Sequence, residues 1–365
     1  MQLKKLFAIG LAFTMMTTLL VGCSSKNDNA GKDSASDKVY TIGMITDTGG
    51  VNDESFNQST WEGLQKAEKK FGSDKVKVKY LESTKDADYV PNIETFVEED
   101  LDLIIGVGYK IAGAIEEAAK NYPEKEFAIV DHAYEKQPEN VTSLVYEDNT
   151  SSYLAGLIAG KMTKTNKVAF ISGMESAVLA RFQYGYMAGV KAANPDCEVV
   201  VRCANSFNDA ALGKSIANQM HKDGADVIFT AAGAVGTGAI EAAKENGKMA
   251  IGVDTDQNAL APNNVITSAV KNIDVSVIDL IGKLIDGNYK GGEVVTNTLA
   301  SGGVGIAATT DKNVPEDILK ICWWASWLSK KRWNKSSSKW ERIQRNSWEI
   351  VPTKYSIFLA ELERF

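Results

Sequence analysis

The stretch DLIIGVGYKIAGAIEEAAKNYPEKEFAIVD, residues 102–131, places an amphipathic helix between two apolar strands. A second stretch, DVIFTAAGAVGTGAIEAAKENGKMAIGVD, residues 226–254, repeats its order of Asp, apolar strand, glycine loop, helix with GAIE, apolar strand and Asp. Apolar runs that alternate with amphipathic helices are typical of parallel strands in an α/β sheet. The duplication therefore predicts two similar α/β lobes.

The same alternation extends outward from both repeats. It predicts strands at 39–45, 76–81, 167–172 and 198–203 and helices at 152–162, 179–193 and 275–286. Several crossings between the lobes would make a hinged cleft that holds a ligand. We assign residues 39–147 and 272–290 to lobe 1, and residues 148–271 and 291–310 to lobe 2.

Each repeat ends in an acid, Asp131 or Asp254, just past the carboxyl end of a strand. Ligands of open α/β sheets bind at that edge. Each Asp could instead only cap the next loop or helix. Their repetition at nearly equal spacing favours a binding role.

The stretch TDTGGVNDESFNQSTWEG, residues 46–63, lies where the first strand passes into a helix. Its glycines allow the backbone to approach a ligand closely. Asp53 is a suitable N-cap, because its carboxylate can accept from the free amides of the first helical turn. This segment is a second candidate for ligand contact.

The N-terminus has the pattern of a secretory signal. Lys4 and Lys5 precede an apolar run, residues 6–21, which is shorter than the ~20 residues of a membrane span. The run ends in LVGCSS, residues 20–25, which has the lipobox pattern of bacterial lipoproteins. We therefore expect residues 1–22 to be a signal peptide, Cys23 to carry the lipid, and residues 23–38 to be a disordered polar tether. The protein would then lie on the extracytoplasmic face of the cell membrane.

The bulk composition excludes several classes of protein. A net charge of -7 argues against nucleic acid as a partner. Four cysteines in 365 residues make no disulfide framework, and two histidines disfavour a His-rich metal site. We expect neither a metal nor a cofactor.

Taken in order, the motifs resemble the basic membrane protein family of substrate-binding lipoproteins, and in particular its purine nucleoside receptor group. The matching segments run from about residue 39 to 307: DTGGVNDESFN, IIGVG, FAIVD, YLAGLIAG, FQYGYMAGV, GADVIF, AAGAVGTGAIEAA, IGVDTDQ and TSAVKN. The resemblance implies a type I periplasmic-binding-protein fold, in which two Rossmann-like lobes joined by a hinge deliver nucleosides to an ABC permease. It implies a monomer and no enzymatic activity.

The resemblance also implies roles for individual residues. The family stacks the nucleobase between two aromatic rings and holds the ribose and the base edges with acids, an amide and a lysine. The implied contacts in this sequence are Phe56 and Phe182 for stacking, Asp47, Asn57, Asp131, Asp254 and Lys271 for hydrogen bonds, and the backbone near Gly233. Without the resemblance, Lys271 reads as an ordinary surface lysine, and each Phe could be a core residue.

Other functions are weaker matches. SAVK, residues 268–271, has the S-x-x-K spacing of β-lactamases, but the partner motifs S-D-N and K-T-G are absent from the sequence. GAVGTG, residues 233–238, lacks the glycine spacing of a dinucleotide loop. A sugar receptor of the same fold and a sensor lipoprotein both remain open. Neighbouring ATPase and permease genes would indicate import.

The last segment, residues 321–365, departs from the family pattern after Lys320. It holds six of the seven Trp and none of the 30 Gly, and its nine Lys and Arg outnumber four Glu. The Trp residues follow no clean helical stripe. A frameshift near Lys320 is our preferred hypothesis for this tail, and re-reading the gene across that codon tests it.

Overall fold

The structure, a computed structural model, describes residues 38–322. Its strands are β1 (Tyr40–Ile45), β2 (Val76–Leu81), β3 (Leu103–Val107), β4 (Glu126–Val130), β5 (Val141–Tyr146), β6 (Lys167–Ser172), β7 (Glu198–Cys203), β8 (Val227–Ala231), β9 (Met249–Asp254), β10 (Val265–Lys271), β11 (Val294–Asn297) and β12 (Val304–Ile306). Its α-helices are α1 (Phe56–Phe71), α2 (Tyr89–Glu98), α3 (Ala112–Asn121), α4 (Asp148–Met162), α5 (Ala177–Ala193), α6 (Ala210–Lys222), α7 (Ala234–Glu245) and α8 (Ile273–Ile285). The strand–helix–strand order predicted for both repeats is confirmed.

These strands form two six-stranded sheets, one in each lobe. The first has the order β11-β5-β4-β3-β1-β2, and its strand pairs are all parallel. The second has the order β12-β10-β9-β8-β6-β7 and is parallel except for β12, which runs antiparallel to β10. The central strands β3 and β8 are buried at every residue, as expected for parallel strands covered by helices on both faces.

One predicted lobe boundary is wrong. We expected residues 291–310 in the second lobe, but β11 pairs with β5 in the first sheet, from Val294 opposite Ser143 to Asn297 opposite Tyr146. Only β12 then joins the second sheet, through its pairing with β10. Four-residue edge strands carry too little hydrophobic pattern to indicate which sheet they extend, so only the tertiary pairing decides it.

The motifs YLAGLIAG and FQYGYMAGV form a close helix pair. Every residue of α4 from 151 to 160 is buried. A Cβ on Gly156 would lie 2.2 Å from the carbonyl oxygen of Tyr186, and one on Gly189 would lie 2.1 Å from that of Tyr153. The two helices can therefore pack backbone to backbone only because glycine stands at these positions.

Some predictions concern residues outside the described range: the signal peptide at 1–22, the lipid on Cys23, nearly all of the tether, and the tail from 323 onward. Residues 316–322 are helical, and Ile318, Leu319 and Cys322 pack into the main core. Within residues 38–322, no helix combines the length and apolarity that a membrane crossing requires.

Candidate ligand-binding site

A pocket lies between the two lobes, at the carboxyl ends of their strands. It encloses about 610 Å³ of atom-free space, counting its open mouth. All eight residues implied by the resemblance line it: Asp47, Phe56, Asn57, Asp131, Phe182, Gly233, Asp254 and Lys271.

The turn between β1 and α1 is organised by two buried acids and one amide. The side chain of Asn57 donates to Asp47 at 2.7 Å and to Asp53 at 2.9 Å, and its Oδ1 accepts from the Asp47 amide at 3.0 Å. Both amide hydrogens of Asn57 are thus engaged inside the turn, and only one lone pair of its oxygen is left for a ligand. Asn57 mainly fixes the orientation of Asp47.

Asp53 acts at the start of α1, although it is not the N-cap residue that we predicted. The helix begins at Phe56, and Ser55 occupies the N-cap position. The Asp53 carboxylate nevertheless accepts from the amides of Ser55, Asn57 and Gln58 at 2.8–3.1 Å. It therefore satisfies the free amides of the first turn, as expected from its chemistry.

Asp131 and Asp254 occupy equivalent positions with the same unusual backbone. Their φ angles are 69° and 63°, in the left-handed region that non-glycine residues seldom adopt. Such strain clusters at ligand sites, where the surrounding structure holds it in place. One oxygen of Asp131, Oδ1, is buried and has no hydrogen-bond partner in the part of the chain that the structure describes. Asp254 accepts a 2.6 Å bond from the Ser55 hydroxyl, which comes from the opposite lobe.

Lys271, at the end of β10, is 2% exposed and not the surface lysine that its local sequence suggests. Its ammonium lies 2.5 Å from Asp131 Oδ2 and 3.0 Å from Asp148 Oδ1. Burial alone would lower the pKa of Lys271, but the neighbouring carboxylates outweigh burial and raise its pKa above the ordinary value. Lys271 is therefore a permanent cation at the base of the pocket, and it joins the two lobes through Asp131.

The carboxyl groups around this cation differ in their electrostatics. Burial raises the pKa of Asp254 to about 6, against the attraction of Lys271 and the Ser55 hydrogen bond. Burial also raises the pKa values of Asp47 and Asp148. These shifts mean that the folded protein holds its ionised carboxylates at a cost in stability.

Three aromatic rings lie near the same ammonium: Tyr146, at 5.2 Å, and two pocket residues from different lobes, Phe56 and Phe182. The Phe56 ring centroid is 5.4 Å and the Phe182 centroid 5.0 Å from Lys271 Nζ. Phe56 opens α1 in the first lobe and is half-buried, whereas Phe182, in α5 of the second, is only 3% exposed. Both are pocket walls as well as packing residues, since both also contact the main hydrophobic core.

Sequence reasoning missed several residues of this site. Tyr109 and Phe207 line the pocket, each shortly after a strand of its sheet. Asp148, fully buried, accepts from Arg181 at 2.8 and 3.1 Å while it faces Lys271. The signal that could have found them is their position just past a strand, the same rule that singled out Asp131 and Asp254.

Candidate metal ligands are not grouped in this part of the chain. Across residues 38–322, no three His, Cys, Asp or Glu side chains are arranged to hold a metal ion. The pocket instead combines aromatic walls, buried carboxylates and one cation, which is a set suited to an organic ligand with hydroxyl groups.

Comparison with known proteins identifies the family of this chain. Residues 40–324 match the family model Bmp, described as ABC transporter substrate-binding protein PnrA-like. The chain is 41% identical to the CD4+ T-cell-stimulating antigen of Listeria innocua, over 87% of this chain and 94% of that protein. It is 40% identical to the ABC transporter nucleoside-binding protein BmpA of Lactococcus lactis subsp. cremoris, over 82% of this chain and 90% of that one.

Solved structures support the fold. A solute-binding protein of an ABC transporter system from Aeropyrum pernix K1 superposes with a TM-score of 0.69 at 27% identity, over 80% of this chain and 86% of that chain. The predicted two-lobed fold of the periplasmic-binding-protein type is thereby confirmed. The chain belongs to the Bmp family of PnrA-like ABC transporter substrate-binding proteins, which are extracytoplasmic binding proteins and not enzymes.

Proposed function

We propose that this protein captures nucleosides, purine nucleosides first among them, in the pocket between its lobes and delivers them to an ABC importer. The observation that carries the proposal is one pocket with aromatic walls from both lobes and a buried acceptor, Asp131 Oδ1, that has no hydrogen-bond partner among residues 38–322. A nucleoside supplies the complement of both features, a flat base and a ribose with hydroxyl donors.

The base fits the aromatic walls. Phe56 and Phe182 line the same pocket from opposite lobes, so a planar base bound there can contact both. Base–aromatic stacking is worth ~1–3 kcal/mol per base. Because the two rings belong to different lobes, a stacked base also draws the lobes together.

The ribose fits the acids. Ribose hydroxyls donate, ionised carboxylates only accept, and such charge-assisted bonds are the strong ones. Asp131 offers an unused oxygen, and Asp254 uses only one of its oxygens for Ser55. Lys271 balances part of their charge, which makes the buried acceptors tolerable before the ligand arrives.

Anchoring and transport complete the proposal. A lipid on Cys23 holds the protein at the outer face of the cell membrane, and the protein works as a monomer. A permease then recognises the closed form, in which the lobes enclose the nucleoside. The signal sequence and the family support this part.

Calorimetry with inosine, guanosine, adenosine, cytidine, uridine and free ribose tests the proposal. We expect purine nucleosides to bind, and Phe56→Ala to weaken them roughly 5- to 100-fold while ribose binding changes little. Asp131→Asn removes the unpaired acceptor and weakens every ribose-containing ligand. Asp196→Asn is the control, because Asp196 is exposed and does not line the pocket.

The outcomes separate the alternatives. If ribose binds as tightly as any nucleoside, the protein is a sugar receptor of the same fold. If none of the six ligands binds to folded protein, the proposal fails, and the alternative of a sensor lipoprotein is favoured.

A further inference from the structure

Two short segments of opposite lobes touch beside the pocket. In the first lobe, Glu54 and Ser55 form the turn before α1; in the second, residues 254–257 form the corner after β9. The Gln257 side chain donates to the Glu54 carbonyl at 2.9 Å, and the Thr255 hydroxyl donates to the same oxygen at 3.3 Å. Glu54, Thr255 and Gln257 are not among the residues that line the pocket.

Gln257 is held rigidly in its own lobe. It is 4% exposed, its amide donates to Ser268 Oγ at 3.1 Å, and its Oε1 accepts from the Val253 amide at 3.0 Å. A Cβ on Gly252 would lie 2.6 Å from that Oε1, so the side chain needs glycine beneath it. With its oxygen fixed, Gln257 presents its Nε2 to the first lobe, and no conformational entropy is left to lose when the contact forms.

The acceptor is held just as firmly. Glu54 has φ 53° in the left-handed region, its amide donates to Gln58 Oε1 at 3.2 Å, and the Asp53 carboxylate fixes the amides that follow. Its side chain is exposed, so the second lobe uses the carbonyl and not the carboxylate. The adjacent Ser55 hydroxyl bonds Asp254, and this bond links the contact to the pocket.

We propose that Gln257 and Thr255 are positioning residues that latch the lobes shut on the Glu54 carbonyl and so determine how long the ligand is retained. This proposal rests on the proposed function in one respect: it requires that the pocket bind a ligand, but not that the ligand be a nucleoside. Its two donors make no contact with that ligand, and they act on the equilibrium between open and closed lobes.

The latch has a kinetic signature that a pocket residue lacks. Because ligand enters and leaves only when the lobes part, a weakened latch speeds both association and dissociation. The equilibrium constant changes less than either rate if the free protein is already mostly closed. The latch should also leave the ranking of nucleosides unchanged, since neither donor touches the base or the ribose.

Gln257→Glu is the sharpest variant. It keeps the Oε1 that accepts from Val253 and replaces the donor with an oxygen that faces the Glu54 carbonyl. We expect the dissociation rate of the tightest nucleoside to rise roughly 3- to 10-fold. Thr255→Val removes the longer bond, and we expect a smaller rise of about 2-fold. Both rates are measured by stopped-flow displacement with excess unlabelled nucleoside.

Two control variants of the full chain separate the latch from a general disturbance. Glu54→Ala removes the exposed side chain but keeps the acceptor carbonyl. Thr309→Val removes a 2.7 Å bond to Asp256, in the same corner but within the second lobe. We expect both controls to release ligand at the wild-type rate.

Hydrogen–deuterium exchange of the ligand-free protein tests the latch without any ligand. We expect faster uptake in peptides spanning 50–58 and 252–260 for Gln257→Glu, and unchanged uptake for the two controls. If wild type binds no nucleoside but this uptake pattern holds, the proposed function fails and the latch stands. The latch would be overturned if Gln257→Glu and Thr255→Val both kept the wild-type rate of ligand dissociation and the wild-type deuterium uptake. Changes of equal size in the two control variants would overturn it as well.

Discussion

Asp254→Asn should make the protein more stable while it weakens ligand binding. Asp254 is 8% exposed, and burial raises its pKa to about 6 from an ordinary value of 3.8. Each tenfold change in proton affinity corresponds to about 1.4 kcal/mol, so ionised Asp254 lowers the free energy of unfolding by about 3 kcal/mol. Asn keeps an oxygen for the Ser55 hydroxyl and removes that cost.

The sign of the pH dependence follows from the direction of the shift. Because folded Asp254 binds its proton more tightly than the unfolded chain does, its contribution to stability falls as pH rises from about 4 to about 6. The loss in free energy of unfolding caused by ionised Asp254 is small at pH 4 and fully present at pH 8. The gain from Asp254→Asn should therefore be under about 1 kcal/mol at pH 4 and about 3 kcal/mol at pH 8.

Urea unfolding of wild type and variant at pH 4, 6 and 8 measures this difference, with Asp196→Asn as an exposed control. Asp47, Asp53 and Asp148 also have raised pKa values, but they are present in both proteins and cancel in the comparison. The variant should bind purine nucleosides roughly 10- to 100-fold more weakly, since a hydrogen bond to a charged acceptor is lost. A variant no more stable than wild type at pH 8, or equally stabilised at pH 4 and pH 8, would refute this reasoning.

Two further predictions concern the buried cation and the close helix pair. Lys271→Met leaves Asp131 and Asp148 buried without their ammonium, so we expect a loss of about 3–5 kcal/mol in urea unfolding at pH 8 and a smaller loss at pH 5. Adding Asp131→Asn to Lys271→Met should recover part of the lost stability. If Lys271→Met alone unfolded within about 1 kcal/mol of wild type, the ion-pair account would be contradicted. Gly156→Ala forces a Cβ against the Tyr186 carbonyl and should cost about 1–3 kcal/mol by thermal unfolding. Gly113→Ala, where a Cβ meets no atom within 4 Å, should instead be neutral or stabilising by up to about 1 kcal/mol, and equal effects of the two would exclude steric crowding.

Most regular elements could be predicted because their signal is local. The apolar runs of β3 and β8 and the periodicity of the helices between them come from burial on two faces or on one stripe. Helix ends were less exact: α4 begins at Asp148 rather than at 152, and α8 begins at Ile273 rather than at 275. Asp148 and Ile273 are buried, but polar residues follow them at the start of both helices, so apolar periodicity does not mark where these helices begin.

Site residues were predicted in two different ways. Asp131 and Asp254 could be found from the duplication alone, because they occupy equivalent positions at the carboxyl ends of parallel strands, one in each lobe, where ligands of α/β sheets bind. Phe56, Phe182 and Lys271 needed the family resemblance, since nothing local separates a pocket Phe from a core Phe. Their shared place in the pocket supports the binding roles, which calorimetry tests.

By itself the sequence determined the two α/β lobes and the acids at the ends of the repeats. These features depend on the spacing of side chains along one chain segment, and spacing is visible in a sequence. The tertiary structure alone decided that β11 extends the first sheet, that Lys271 is buried among Asp131 and Asp148, and that Gln257 reaches Glu54. Such contacts join residues 123 to 203 positions apart, and their energy depends on desolvation and distance, which no local pattern encodes.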